Sequence, residues 1–347
     1  MDTPDNNNKN IRTETLHSHA LLLKEFTATE KVHRESGRFL SGSRFKALMV
    51  PFLYRLLQHT PLFIALVPVR LVALLMHALY WWPNNPLRLS CKYICHLADR
   101  ARHKHQPAHV YRRYLANAIG AAENYFHLHR FGIKAVLDRI QITSEDAEKI
   151  NNIIRHHGGA IIAVPHNFGS AFSALKLNRT FPLLVVTRNS STIDRTKAAL
   201  DFFERMEITI LMVRGGNPFE LSRTLFSVLK SNKAVAATVD NISHSDAGTK
   251  IRMFGQQIEL TQWAAKIAAR KRIPVVPSYF HSNGRQIIAE FGEPITTDNI
   301  ETAIQHYATF FERCILEDPS SWAYLGDKRW RRVLHQANEP VVKLAAC

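Results

Sequence analysis

The chain has 347 residues, 46% of them hydrophobic, and a formal net charge of +16. That apolar content is enough for one large core or two modest ones, and 14 Gly with 15 Pro exclude a low-complexity chain. So basic a balance calls for an anionic partner: nucleic acid, acidic lipid or an acidic carrier protein. The four cysteines, Cys91, Cys95, Cys314 and Cys347, are too few for a disulfide scaffold. Cys91 and Cys95 have no second pair nearby to complete a zinc site, so no metal is expected. They read as reduced thiols, which places the chain on the cytosolic side.

Residues 1–44 are polar, carry no signal peptide and are expected to form a mobile tail. From residue 45 the character changes. Residues 61–82 are apolar and about as long as the ~20 residues a bilayer crossing needs. Pro68 and Arg70 interrupt them, and Trp81 and Trp82 suit a membrane interface. Membrane contact is the expectation; an apolar hairpin in a soluble core is the alternative. Residues 88–130 are basic, rich in His and aromatics, and helically spaced. They fit helices lying over a core or on a headgroup surface, and equally a solvated amphipathic face. Residues 45–135 are therefore taken together as an apolar and basic helical region that faces a membrane.

From residue 136 to 335 helices and strands alternate. Thr143 and Ser144, with Glu145, Asp146 and Glu148 following, open a helix that Gly158 and Gly159 end. Short apolar runs at 160–165, 182–187, 208–213 and 234–239 read as buried strands. Asn217, Pro218 and Glu220 open a helix between the third and fourth. A helix over 261–272, two strands at 274–280 and 286–291, and a helix over 298–317 follow. This order predicts an α/β domain with a mostly parallel central sheet flanked by helices. Residues 336–347 are left as a tail.

Four polar residues stand directly after strand runs: His166, Arg188, Arg214 and Asp240. Ligands of open α/β sheets bind beyond the carboxyl ends of parallel strands, so the four are expected at one sheet edge. A histidine with a carboxylate in reach is equipped to take a proton from a hydroxyl. His166 alone fits a structural role as well, but Asn167 and Gly169 beside it favour a site. Asp240 also fits a turn cap. Arg188 and Arg214 fit either a clamp for phosphate or phosphopantetheine, or ordinary surface ion pairs. The chain has no G-x-S-x-G elbow, no G-x-G-x-x-G, no P-loop and no H-E-x-x-H. It also has no recognised nucleic-acid motif, and its aromatics sit with apolar runs rather than between Lys and Arg.

Several blocks resemble, in order, the late acyltransferases of lipid A biosynthesis and the related mannoside acyltransferases. They are GGAIIAVPHNFGS, VVTRNSSTIDR, LKSNKAVAATVDN, IRMFGQQIELTQWAAKIAARKRIPVVPSYF and DPSSWAYLGDKRW. The resemblance covers about 110–335. It implies a glycerolphosphate-acyltransferase-like fold behind a membrane-associated N-terminal region, at the cytoplasmic face of the inner membrane. It implies a fatty acyl thioester, on acyl carrier protein or coenzyme A, as donor. A hydroxyl of a membrane lipid or lipid A precursor is the acceptor, and no cofactor is required. His166 would be the base; Arg188, Arg214, Asn167 and Gly169 would bind substrate, with Arg188 or the amides near Phe168 and Gly169 steadying the oxyanion. The anionic partners agree with the positive charge.

The chain departs from the family pattern at one place. The family carries an acid five residues after the histidine, where this chain has Ala171, and the next position is Phe172. Asp240 is the expected replacement, with Glu220 and Asp246 behind it. A homologue with weakened catalysis, binding lipid or carrier only, is the other reading.

Overall fold

A computed structural model describes residues 60–188, 200, 202–213, 225, 229, 233–243 and 248–339. The expected tail at 1–44, Arg214, the helix start at Asn217–Glu220 and Asp246 lie outside the described residues, as does the side chain of Arg188.

Helix α1 (Val67–Ala78) follows a single turn at Leu62–Ala65 and runs into a 3₁₀ turn at Leu79–Trp81. Helices α2 (Pro86–Arg100) and α3 (Pro107–Phe131) come next. The Asn85 side chain accepts from the Leu87 and Arg88 amides at 2.9 and 3.2 Å, and Pro86 takes the first helical position. After the short strand β1 (Ile140–Gln141), α4 (Ser144–His157) starts where Thr143 accepts from the Asp146 amide at 3.0 Å. It ends at Gly158, which takes the left-handed conformation (φ 74°).

The core then unfolds in alternation: β2 (Gly159–Val164), α5 (Ser170–Thr180), β3 (Leu183–Arg188), β4 (Thr209–Val213) and β5 (Lys233–Thr238). A hairpin, β6 (Gly248–Met253) and β7 (Gln256–Thr261), leads to α6 (Trp263–Lys271). The chain closes with β8 (Val275–Asn283), β9 (Gln286–Phe291), α7 (Ile300–Glu317) and α8 (Lys328–Asn338). The seven-stranded sheet runs β1-β9-β8-β2-β5-β3-β4. Its pairings are parallel except β8 with β9.

Both faces of the sheet are covered, which is why β2 is buried along its whole length. Strand alternation sends Ile161, Ala163, Val235 and Ala237 to one layer, with α2, α3, α6, α7 and α8. It sends Ala160, Ile162, Val164, Ala234 and Ala236 to the other, with α4 and α5.

Three boundaries differ from the sequence reading. Thr261, expected to open a helix, is the last residue of β7, and α6 starts at Trp263. Burial of Ile258 and Leu260 continues a period-two pattern to that point. Ser282 and Asn283, expected in a turn, extend β8, and α8 runs on to Asn338 through residues assigned to the tail.

Among the described residues one segment, Phe63–Trp81, is long and apolar enough to cross a membrane by length and composition. Phe63, Leu71, Leu74, Leu75 and Trp81 are exposed, so this is not a core helix.

Candidate active site

Strand register brings His166 and Asp240 together. β2 and β5 are neighbours, and Val164 pairs with Thr238. His166 and Asp240 each stand two residues further on, on adjacent parallel strands roughly 4.8 Å apart. The imidazole Nδ1 of His166 contacts Asp240 Oδ1, and the His166 backbone N–H donates to Asp240 Oδ2 at 3.0 Å. The His166 side chain is 27% exposed and that of Asp240 is 1% exposed. The acid is thus sealed, and the base reaches solvent.

Two buried tryptophans hold the acid. Trp322 Nε1 donates to Asp240 Oδ2 at 3.0 Å, and Trp330 Nε1 donates to the Asp240 carbonyl at 3.1 Å. With both carboxylate oxygens engaged, the group has one orientation. Nδ1 carries the proton that faces Asp240, and Nε2 is left with its lone pair.

The hydroxyl of Tyr324 lies 2.9 Å from Nε2 and donates to Asn241 Oδ1 at 3.0 Å. The Tyr324 and His166 rings are stacked, with centroids 3.8 Å apart and planes 15° from parallel. The hydroxyl therefore sits over the imidazole face, away from the in-plane direction of the Nε2 lone pair. An incoming hydroxyl retains that direction.

The loop after β2 is tied down on every side. Asn167 is buried; its Oδ1 accepts from the Phe280 amide and its Nδ2 donates to the Ser321 carbonyl, both at 3.3 Å. The Phe168 amide donates to the Ser321 carbonyl at 3.2 Å, and the Asn167 amide to Ser170 Oγ at 3.0 Å. Gly169 packs on β9: a Cβ there would fall 2.8 Å from Ile287 Cγ2. The Ala323 amide donates to the His166 carbonyl at 2.7 Å, and Tyr114 of α3 donates to the Ala323 carbonyl at 2.8 Å. Residues 318–326 thus form a lid of fixed shape over the histidine.

A second cluster braces that lid from below. His281 on β8 contacts Glu290 at 2.8 Å through Nε2 and Asp318 at 3.3 Å through Nδ1. Burial alone would lower the His281 imidazole, but hydrogen bonds to Asp318 and Glu290 outweigh it and push it up to about 9. The His281 hydrogen bond, joined by Arg313 and opposed by burial, pulls Glu290 down to about 2. Asp318 also accepts from Ser320 Oγ at 2.7 Å and Ser321 Oγ at 2.5 Å, which shapes the turn.

Of the residues picked from the sequence, His166, Asn167, Gly169 and Asp240 meet here. Asn167 is spent on holding the loop, Gly169 packs its Cα against Ile287, and the Phe168 amide, one of the expected oxyanion donors, is committed to Ser321. Arg188 ends β3, beside β5, so its backbone stands one strand beyond Asp240. Ala171 lies in the first turn of α5, and the acid of the pair comes from β5 instead. The sequence reading missed Tyr324, Trp322, Trp330 and His281. The aromatic spacing in DPSSWAYLGDKRW was the available signal for the first three.

Cys91 and Cys95 are buried in α2, and burial pushes the Cys95 thiol up to about 12, so neither is a poised thiolate. Among the described residues no group of three or more His, Cys, Asp or Glu is placed to hold a metal ion. No curated protein matches the chain in a sequence comparison. The family model described as bacterial lipid A biosynthesis acyltransferase matches residues 71–332, three-quarters of the chain and all of the site, and the chain belongs to that family.

Proposed function

We propose that this chain moves a fatty acyl group from an acyl thioester to a hydroxyl of a lipid A-like membrane lipid. The donor is carried on acyl carrier protein or coenzyme A. The observation that carries this reading is the contact of His166 Nδ1 with the sealed carboxylate of Asp240, on an imidazole that is itself part-exposed.

His166 Nε2 takes the proton of the acceptor hydroxyl as its oxygen attacks the thioester carbonyl. Asp240 faces the imidazolium that forms and lowers its cost. The tetrahedral intermediate collapses as the C–S bond breaks, and the imidazolium returns its proton to the departing thiolate. The products are an ester and a free thiol, and no metal or cofactor enters the scheme. Tyr324 lies stacked on the ring as the imidazolium forms, its hydroxyl donating to Asn241. The Asn167, Phe168 and Ser170 amides all have acceptors, which leaves Gly169 as the backbone donor of that loop for the oxyanion.

The exposed apolar segment at 63–81 supports action at a membrane surface, and we place the protein at the cytoplasmic face of the inner membrane. The intact dyad favours an enzyme over a silent lipid- or carrier-binding relative. Mass spectrometry of total lipids from cells with and without the gene tests the reading. One lipid class heavier by one acyl chain is expected with the wild-type gene and absent with His166→Ala. Identical lipid profiles in all three strains would refute it.

A further inference from the structure

Two arginines from two elements reach one carboxylate of α3, and a third bonds the residue beside it. Arg285, in the β8–β9 turn, reaches Glu123 at 3.4 Å, and Arg70 of α1 reaches it at 3.8 Å. Arg139 donates to Asn124 Oδ1 at 2.7 Å, one helical position further. Arg285 also contacts His127 Nε2 at 3.4 Å, so that imidazole acts as an acceptor and adds no charge. Three guanidiniums against one carboxylate leave an excess of two positive charges in a small volume.

The neighbours register this excess. Burial and then the charge of Arg285 lower the Arg139 guanidinium, against the pull of Glu123. Burial, Arg139 and Arg285 together lower the His127 imidazole. The arginines stay together because the backbone fixes them. Asn124 Nδ2 donates to the Arg285 carbonyl at 2.9 Å, and Asn117 Oδ1 accepts from the Gly284 amide at 2.9 Å. Arg70 and Arg285 remain open to solvent, with side chains 63% and 49% exposed.

We propose that Arg70, Arg139 and Arg285 form a docking site for the phosphate of an anionic lipid headgroup. Planar guanidiniums from three directions match the oxygens of a phosphate, and Glu123 pairs with two of them. A lipid is the occupant because Arg70 belongs to α1, whose Leu71, Leu74 and Leu75 are exposed. A crossing helix would carry this polar cluster into hydrocarbon, at high cost. A helix lying along the interface sets it at headgroup level, with the leucines in the acyl boundary.

The helix that carries the cluster also touches the loop of the histidine. Tyr114, on the same α3, packs against Phe168, two residues from His166, with ring centroids 4.9 Å apart. Glu123 is nine residues further along the helix, about 13 Å at the α-helical rise. The docking site goes beyond the acyl-transfer reading and does not rest on it.

The test is flotation of the full chain with vesicles of phosphatidylcholine, alone or with phosphatidic acid. Arg285→Gln, at a half-exposed position that tolerates the change, should weaken binding to the phosphatidic acid vesicles about fivefold, the equivalent of ~1 kcal/mol per basic residue. Glu123→Gln should tighten it by a similar factor. Arg252→Gln, which removes one exposed charge from β6, should change it less than twofold. His166→Ala should bind as wild type, so a failure of the acyl-transfer reading leaves this result standing. Equal losses for Arg285→Gln and Arg252→Gln would reduce the effect to bulk charge and overturn the site. Saturable binding of inorganic phosphate with no preference for phosphatidic acid vesicles would overturn the lipid assignment.

Discussion

His166 and Asp240 are 74 residues apart in sequence and meet because two adjacent strands end level with each other. The position five residues after the histidine is Ala171 here, at the start of α5, and the carboxylate on His166 comes from the end of β5. Residues further out set the geometry. The His281 cluster holds Asp318, which shapes the lid that carries Trp322 and Tyr324. Its contribution to stability depends on pH, and the sign follows from the shifts. The His281 imidazole is raised to about 9, so its share is full below its unfolded value near 6.5 and is lost as pH rises through 9. Glu290 is lowered to about 2, so its share is full above about 4.5 and is lost as pH falls towards 2. His281→Asn should therefore destabilise the protein by about 1–3 kcal/mol at pH 6 and by little at pH 10. Thermal melts of both proteins at the two pH values check this, and an equal difference at both would show that the imidazolium is not the stabilising form. The sequence made the dyad legible because strand ends can be read from apolar runs. It did not reveal Tyr324, Trp322 or Trp330, because the lid is irregular chain whose contacts are all long-range.

At the scale of elements, α3 determines how the lid and the edge turn meet the sheet. It passes so close to the β8–β9 turn that a Cβ on Gly120 would fall 2.0 Å from the Gly284 carbonyl oxygen. Gly284 itself has φ 59°, which suits glycine. Asn117 and Asn124 then bond the turn from either side of this contact. Gly120→Ala gains about 1 kcal/mol of helix propensity but must push two backbones apart, a net loss of about 2 kcal/mol or more. The melting temperature should drop by roughly 5 °C, and an unchanged value would mean that α3 is free to move off the turn. No sequence pattern flags this glycine, since a close approach is a property of two segments 164 residues apart. The sequence did yield β2, β3, β4 and β5 to within a residue at each end. It missed α5, whose apolar positions in SAFSALKLNRT are broken by Ser, Lys and Asn, and it missed the β6–β7 hairpin. That hairpin turns at Phe254 and Gly255, both at positive φ, and Phe-Gly is a weak turn signal beside Asn-Gly or Asp-Gly.

For the whole molecule, the arrangement is a three-layer α/β body with its polar edge at the carboxyl ends of the strands. An exposed apolar helix and a cationic cluster lie along α3 from that edge. The overall charge of +16 pointed to an anionic partner without saying where it docks. Alternation of helices and strands was enough to give the parallel sheet, because each crossover must cover a face. The central claim is that His166 and Asp240 act as one unit in acyl transfer. A double-mutant cycle on the purified protein, following acyl transfer from a labelled acyl thioester to membrane lipid, tests it most directly. His166→Ala should lower the rate by about 10²–10⁴-fold. Asp240→Asn should lose most of the activity, and the double variant should be no slower than His166→Ala alone, as expected for groups that act together. Losses that multiply in the double variant, or an Asp240→Asn enzyme with wild-type turnover, would contradict the claim.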